Sequence, residues 1–331
     1  MIGKKVLYSL MSALLVSSVI LSGCSKSADV PVNAKAPVEN TAKEASPAGD
    51  LAKTIQPAVE TYFTNIGSTV KDSYKISEKD LNNELGKNPD NYALLDIRKA
   101  DVYQSGHIKG AVNVPFGPSI ADNLDKIRTF AKDKTLVVIC NTGQTASQVD
   151  SIFNIAGIKT RSLNHGMGTG LDTVGWASLK LPLDTTPTVM PSLPAVASPN
   201  KAIDDAVIKY FKEIPKDNYI IDLPVLKEAL AKDADKYYFI DIRKAEDFAK
   251  GHIKGFENIP YGPEIAKNLA SIKEKSQGKT VIVSCYTGQT AGQADSALNI
   301  LGIPTKSVDF GFGKEGFPKG WSTDKANEIE K

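Results

Sequence analysis

Two cysteines stand in the same setting, one in which a thiol serves as a nucleophile. Cys140 opens the run Cys140-Asn141-Thr142-Gly143-Gln144-Thr145-Ala146, and Cys285 opens Cys285-Tyr286-Thr287-Gly288-Gln289-Thr290-Ala291. Each follows a short apolar, β-branched stretch (136–139 or 281–284) and precedes a helical pattern. A strand, a glycine-bearing turn and a helix amino terminus bring successive backbone N–H groups to one point. That arrangement stabilises an anion, so it is expected to lower the thiol from its free value of about 8.5 and supply thiolate at neutral pH. Gly143 and Gly288 permit the close turn, and Thr145 and Thr290 offer a hydroxyl to the sulfur or its substrate. Cys140 and Cys285 are therefore candidate nucleophiles, and positions 141–145 and 286–290 candidate substrate contacts. Neither loop contains a His, and a nucleophile that is already ionised needs no general base.

The elements that must position these loops are written twice. Tyr92-Ala-Leu-Leu-Asp96-Ile-Arg98 recurs as Tyr237-Tyr-Phe-Ile-Asp241-Ile-Arg243, and Gly106-His107-Ile108-Lys109-Gly110 as Gly251-His252-Ile253-Lys254-Gly255. The offset is 145 residues throughout, from Tyr74/Tyr219 to Trp176/Trp321. Upstream, Tyr62-Phe63 matches Tyr210-Phe211 at an offset of 148, so each copy is expected to begin with a helix. In the first copy the patterns predict a helix from Ser77, with Asp80 placed as in a capping box, and a strand at 93–95. A helix at 99–104, a strand at 112–114, a helix at 119–131, a strand at 136–139, a helix at 146–156 ended by Gly157 and a strand at 159–163 follow. Such alternation predicts an α/β fold, a parallel sheet flanked by helices, with the ligand crevice beyond the carboxyl ends of the strands. Both cysteine loops are at such ends.

Both copies resemble rhodanese domains, the sulfurtransferase fold, and the chain as a whole a tandem rhodanese. The resemblance rests on Asp96/Arg98 and Asp241/Arg243, on the Gly-His-Ile-x-Gly turn running to Asn113/Pro115 and Asn258/Pro260, on the two cysteine loops, and on the Gly-rich stretch leading to Trp176 and Trp321. It implies a persulfide mechanism: the cysteine takes the outer sulfur of thiosulfate, a persulfide or a similar donor and passes it to a thiol, cyanide or another acceptor. No cofactor or metal is implied. The expected partners are a small-molecule sulfur donor and a thiol acceptor. Two departures stand out. Many family members carry Arg directly after the Cys and again at the loop end, where this chain has Asn141 and Thr145, then Tyr286 and Thr290. Neither loop thus carries a cation, which favours a persulfide donor over tightly bound thiosulfate, although a Thr-Ala ending occurs in tandem members of the thiosulfate and mercaptopyruvate type. Tandem members also often keep one active Cys, usually in the second unit, and here both keep it. The alternative function is a non-catalytic module that senses a persulfide or binds a protein. A phosphatase reading fails, because it needs Cys-x5-Arg and positions 146 and 291 are Ala.

Arg98 and Arg243 are candidate substrate contacts, against the alternative that they tie neighbouring loops together. His107 and His252 are expected to fix their turns, Trp176 and Trp321 to close the core, and His165, whose counterpart is Phe310, to be incidental. A Cys140–Cys285 disulfide would need the two crevices to face each other at bonding distance, and is not expected.

The remaining cysteine belongs to an address. Lys4 and Lys5, an uncharged apolar run over 6–21 and Leu21-Ser22-Gly23-Cys24 read as a secretory signal, and the last four residues resemble the lipobox of bacterial lipoproteins. That resemblance implies removal of residues 1–23, acylation of Cys24 and a lipid anchor on the extracytoplasmic face of the cell membrane. A plain transmembrane anchor is the alternative, against which stand four serines between 6 and 21. Residues 24–50, rich in Ala, Pro, Lys, Ser and Glu, are expected to form a disordered tether. Expected domain bounds are 51–180 and 200–325, joined by a linker at 181–199 with five prolines. The 331-residue chain has 40 Lys+Arg against 38 Asp+Glu. Loss of Lys4 and Lys5 with the signal leaves 38 against 38, and no basic stripe argues for nucleic acid.

Overall fold

The computed structural model describes residues 47–331. The signal, Cys24 and most of the expected tether lie outside the described residues. The first unit runs α1 (Pro47–Asn65), β1 (Lys75–Ile76), α2 (Glu78–Lys87), β2 (Tyr92–Asp96), α3 (Ala100–Ser105), β3 (Val112–Asn113), α4 (Pro118–Asp122), α5 (Leu124–Phe130), β4 (Thr135–Ile139), α6 (Gln144–Ile155) and β5 (Thr160–Leu163). The second runs α7 (Lys201–Lys212), β6 (Ile220–Ile221), α8 (Leu223–Lys232), β7 (Tyr237–Asp241), α9 (Ala245–Lys250), β8 (His252–Ile253), β9 (Glu257–Asn258), α10 (Pro263–Lys275), β10 (Thr280–Ser284), α11 (Gln289–Ile300), β11 (Thr305–Val308) and β12 (Ile329–Glu330).

Ten of the strands form two parallel sheets of the same order, β1-β5-β4-β2-β3 and β6-β11-β10-β7-β9, and β8 pairs antiparallel with β12, so the α/β reading holds in both copies. Each cysteine follows the middle strand of its sheet. All five residues of β4 are buried, as a parallel strand covered by helices on both faces requires. The capping signal at α2 is realised: the Asp80 N–H donates to Ser77 Oγ at 3.1 Å, and Ser77 Oγ donates back to the Asp80 carboxylate at 2.6 Å.

Two expectations are corrected, and the placement of the leading helices is added to them. The helix foreseen at 119–131 is broken into α4 and α5 at Asn123, whereas its counterpart α10 is continuous. Asp122-Asn123, two weak helix formers that compete for backbone hydrogen bonds, stands where the second unit has Lys267-Asn268. Helix α1 begins at Pro47, inside the stretch read as tether, and a proline in the first turn costs no helical hydrogen bond. The leading helices also reach across to the other unit, while Tyr62 and Tyr210 stack on Tyr74 and Tyr219 of their own. From α1, Tyr62 Oη meets Tyr261 Oη at 3.2 Å and the Phe63 ring stands edge-on to Tyr261, both contacts being with the second unit. From α7, Phe211 packs edge-on to Phe116 and Asp204 accepts a buried 2.5 Å ion pair from Arg128, both in the first unit. One hydrophobic core therefore runs through both units. The expected linker is pinned as well: Asp184 and Thr188 pair with His107 and Val112 at the edge of the first sheet.

Candidate active site

Cys140 and Cys285 are both free thiols, only 2% and 1% exposed. The Gly143 N–H donates to Cys140 Sγ at 3.0 Å. Gly143 and Gly288 take positive φ, 92° and 83°, as the residues that start α6 and α11. The floor of each loop is the Gly-rich stretch after the last sheet strand. The Met167 N–H donates to the Cys140 carbonyl at 2.8 Å, and the Phe312 N–H to the Cys285 carbonyl at 2.7 Å. These approaches need glycine beside them, because a Cβ on Gly166 or Gly311 would lie 2.3 Å from the cysteine carbonyl oxygen.

The two loops are not equivalent above that floor. Tyr286, Thr287 and Thr290 line a cleft of about 1000 Å³, and its opposite wall comes from the first unit, including Ser73, Lys75, Ser77 and Arg161. Tyr286 donates its hydroxyl to Asp247 at 2.6 Å, and burial together with that carboxylate pushes the phenol up to about 12. At the corresponding place Asn141 is exposed, its side-chain oxygen accepting from Thr169 Oγ1 at 3.2 Å.

A rhodanese-like domain model matches this chain twice, over residues 77–169 and 223–316. The chain belongs to the rhodanese-like family. Among known proteins, an HTH-type transcriptional regulator of Mycobacterium tuberculosis is 31% identical over 93 residues, 28% of this chain and 37% of that protein. A thiosulfate sulfurtransferase of Escherichia coli is 32% identical over 65 residues, 19% of this chain and 59% of that protein. The chain thus spans less than two thirds of the length of either relative. Among solved structures, a thiosulfate sulfurtransferase from Pseudomonas aeruginosa is 19% identical with a TM-score of 0.31, over 82% of this chain and 49% of that one. A likeness that slight has no bearing on function.

Several expected contacts of the rhodanese-like loops point elsewhere. Gln144 is buried and donates its amide to Ser307 Oγ at 2.9 Å in the second unit, so it joins the units instead of facing a substrate. Gln289, 1% exposed, is turned likewise toward Gly143 of the first loop. Arg98 and Arg243 make the loop ties that were the alternative to substrate contact. Arg98 grips Asp96 at 2.6 Å and the Gly106 carbonyl at 2.8 Å, and Arg243 repeats this on Asp241 and Gly251. His107 bonds the Tyr103 and Thr186 carbonyls, and His252 the Phe248 carbonyl. Trp176 and Trp321 are buried, each indole N–H meeting a backbone carbonyl. His165 is more than incidental, since its Nδ1 lies 3.1 Å from the Glu78 carboxylate.

Lys75, Lys314 and Tyr261 line the Cys285 cleft and were not among the candidates read from the loops. A signal for them existed. At the offset of 145 their counterparts are Ile220, Thr169 and Phe116, so these are places where two otherwise similar copies differ in chemistry.

Proposed function

We propose that this protein is a sulfurtransferase that carries sulfane sulfur on Cys140 and Cys285 as persulfides, and that it acts while held at the extracytoplasmic face of a membrane through a lipid on Cys24. The observation that carries the reading is the repeated nucleophile cradle, a free cysteine at the end of a central parallel strand, enclosed by a glycine-started helix and a glycine floor. Membership of the rhodanese-like family and the match to a thiosulfate sulfurtransferase support it. In the loading step the cysteine sulfur attacks the outer sulfur of the donor. With thiosulfate the S–S bond breaks, the Cys–S–S⁻ bond forms, and sulfite departs with the bonding pair. An acceptor thiolate or cyanide then attacks the outer sulfur and regenerates the cysteine thiolate.

Intact-mass measurement of the full-length chain after exposure to thiosulfate or glutathione persulfide tests the first step. A gain of one sulfur is expected at one or both cysteines, lost at the mutated site in Cys140→Ser or Cys285→Ser. A double variant that retains wild-type turnover to cyanide would refute the mechanism. Loading without turnover would leave a persulfide-presenting module. Radiolabelled acyl incorporation, abolished by Cys24→Ala, tests the anchor.

A further inference from the structure

Although neither cysteine loop contains a cation, the Cys285 cleft is not short of positive charge. Its wall includes Lys75, from β1 of the first unit, and Lys314, from the glycine stretch of the second, besides Arg161, which is paired with Asp72, and Lys244, which reaches Glu246 at 4.0 Å. The acids on the same wall are engaged by other groups. Asp72 pairs with Arg161, Asp80 is held by Ser77, Asp247 takes Tyr286 and Lys250, and Glu84 accepts from Asn88. Asp150, buried behind the wall, accepts from Gln293. Neither Lys75 nor Lys314 has an ion pair or side-chain hydrogen bond among the described residues. Lys75 is half-buried, and its burial pushes the ammonium down from its ordinary value, while the Cys285 sulfur favours the charge and Lys314 opposes it. An ammonium so placed, on the wall of a cleft that the Cys285 loop also lines and without an ion pair of its own, is matched to an anion that arrives.

We infer that Lys75, contributed by the first unit and assisted by Lys314, is the anion-binding group of the Cys285 site and makes that site selective for a doubly charged sulfane donor. This deepens the sulfurtransferase reading and rests on it. In the loading step a dianion approaches a thiolate, and a persulfide anion and a sulfite dianion result, so three negative charges occupy the cleft on both sides of the step. A cation on the wall of the cleft beside the Cys285 loop, without belonging to that loop, offsets that repulsion and leaves the loop N–H groups free for the sulfur. The Cys140 site has Ile220 and Thr169 at the two positions. It therefore lacks this device, and the two cysteines divide the donors between them: Cys285 takes the dianion, Cys140 a donor of lower charge.

The experiment titrates thiosulfate, and separately methanethiosulfonate, a monoanion, against the full-length chain and follows sulfur gain on the Cys285 and Cys140 peptides by mass. For Lys75→Gln the thiosulfate concentration that half-loads Cys285 is expected to rise about 10-fold, the methanethiosulfonate value less than about 3-fold, and loading of Cys140 to stay as it was. Lys75→Arg, which keeps the charge, restores thiosulfate loading. A folded Lys75→Gln that loads Cys285 like the wild type overturns the inference and leaves the transferase reading intact. A wild-type chain that gains no sulfur sinks that reading and the inference with it. Lys314 is exposed, so Lys314→Gln keeps the fold. If Lys75→Gln does not fold, an unchanged thiosulfate titration in Lys314→Gln overturns the inference, and a shift in the same direction upholds it.

Discussion

Gly311 shows how much of the site depends on single backbone positions. Its φ is 62°, and a Cβ there would stand 2.3 Å from the Cys285 carbonyl oxygen and 2.9 Å from the Gly288 nitrogen. Those neighbours are backbone, so the clash cannot be relieved by a rotamer change. Gly311→Ala is expected to cost about 2–4 kcal/mol and to abolish sulfur loading at Cys285 while Cys140 still loads. Urea denaturation and peptide mass read the two effects. The same substitution at Gly166, with φ 56° and the same 2.3 Å clash, exchanges the two cysteines. If either variant loaded its own loop normally, the floor would not be what shapes the cradle. Arg98 makes a complementary point. An Arg near an active loop invites a role with an anionic substrate, yet its guanidinium is committed to Asp96 and the Gly106 carbonyl. At the Cys285 loop the lysines that line the cleft, Lys75 and Lys314, have no such commitment.

Helix α7 tests the exchange of leading elements between units. Its Asp204 pairs with Arg128, both nearly buried, and Arg128 also donates to the Ala156 carbonyl at 2.8 Å. Asp204→Ala strands a buried guanidinium and is expected to cost about 3–5 kcal/mol, whereas Arg128→Met with Asp204→Leu recovers much of that loss. Equal stability of the single and double variants would show that the pair does not clamp α7. The fate of this helix also marks what could be read in advance. Strand and helix identities followed from local patterns: apolar β-branched runs before each cysteine, Ser77 three residues ahead of Asp80, Gly157 after α6. Each of these is decided by neighbours a few residues away. The exchange of α1 and α7 is decided by which face of Tyr62, Phe63 and Phe211 finds a partner, and the repeat is equally satisfied by either pairing. Lys75 was hidden for the same reason. Only once β1 of one unit forms a wall of the other unit's cleft does a lysine in a two-residue strand become part of a site.

At the scale of the molecule the units meet through α6 and α11, and two carboxyls are buried in the seam. Asp150 accepts from Gln293 Nε2 and Asp295 from Gln148 Nε2, each amide reaching from the opposite unit, with Ser151 Oγ and Ser296 Oγ 2.6 Å apart between them. Burial outweighs these hydrogen bonds and raises both carboxyls well above the ordinary carboxylate range. An acid whose folded value is raised favours folding while it is protonated, so its contribution is complete below the unfolded value and is lost as pH climbs through the folded one. Because a single core joins the units, this loss falls on the whole molecule and appears in one cooperative transition. Urea midpoints measured from about pH 4 to about pH 9 should therefore fall more steeply with rising pH in the wild type than in Asp150→Asn with Asp295→Asn, whose carboxamides keep an acceptor oxygen for each Gln and cannot ionise. Identical slopes in the two proteins would mean that the seam carboxyls do not change ionisation on unfolding. Two separate transitions in the wild type would mean that α1 and α7 do not bind the units into one folding body.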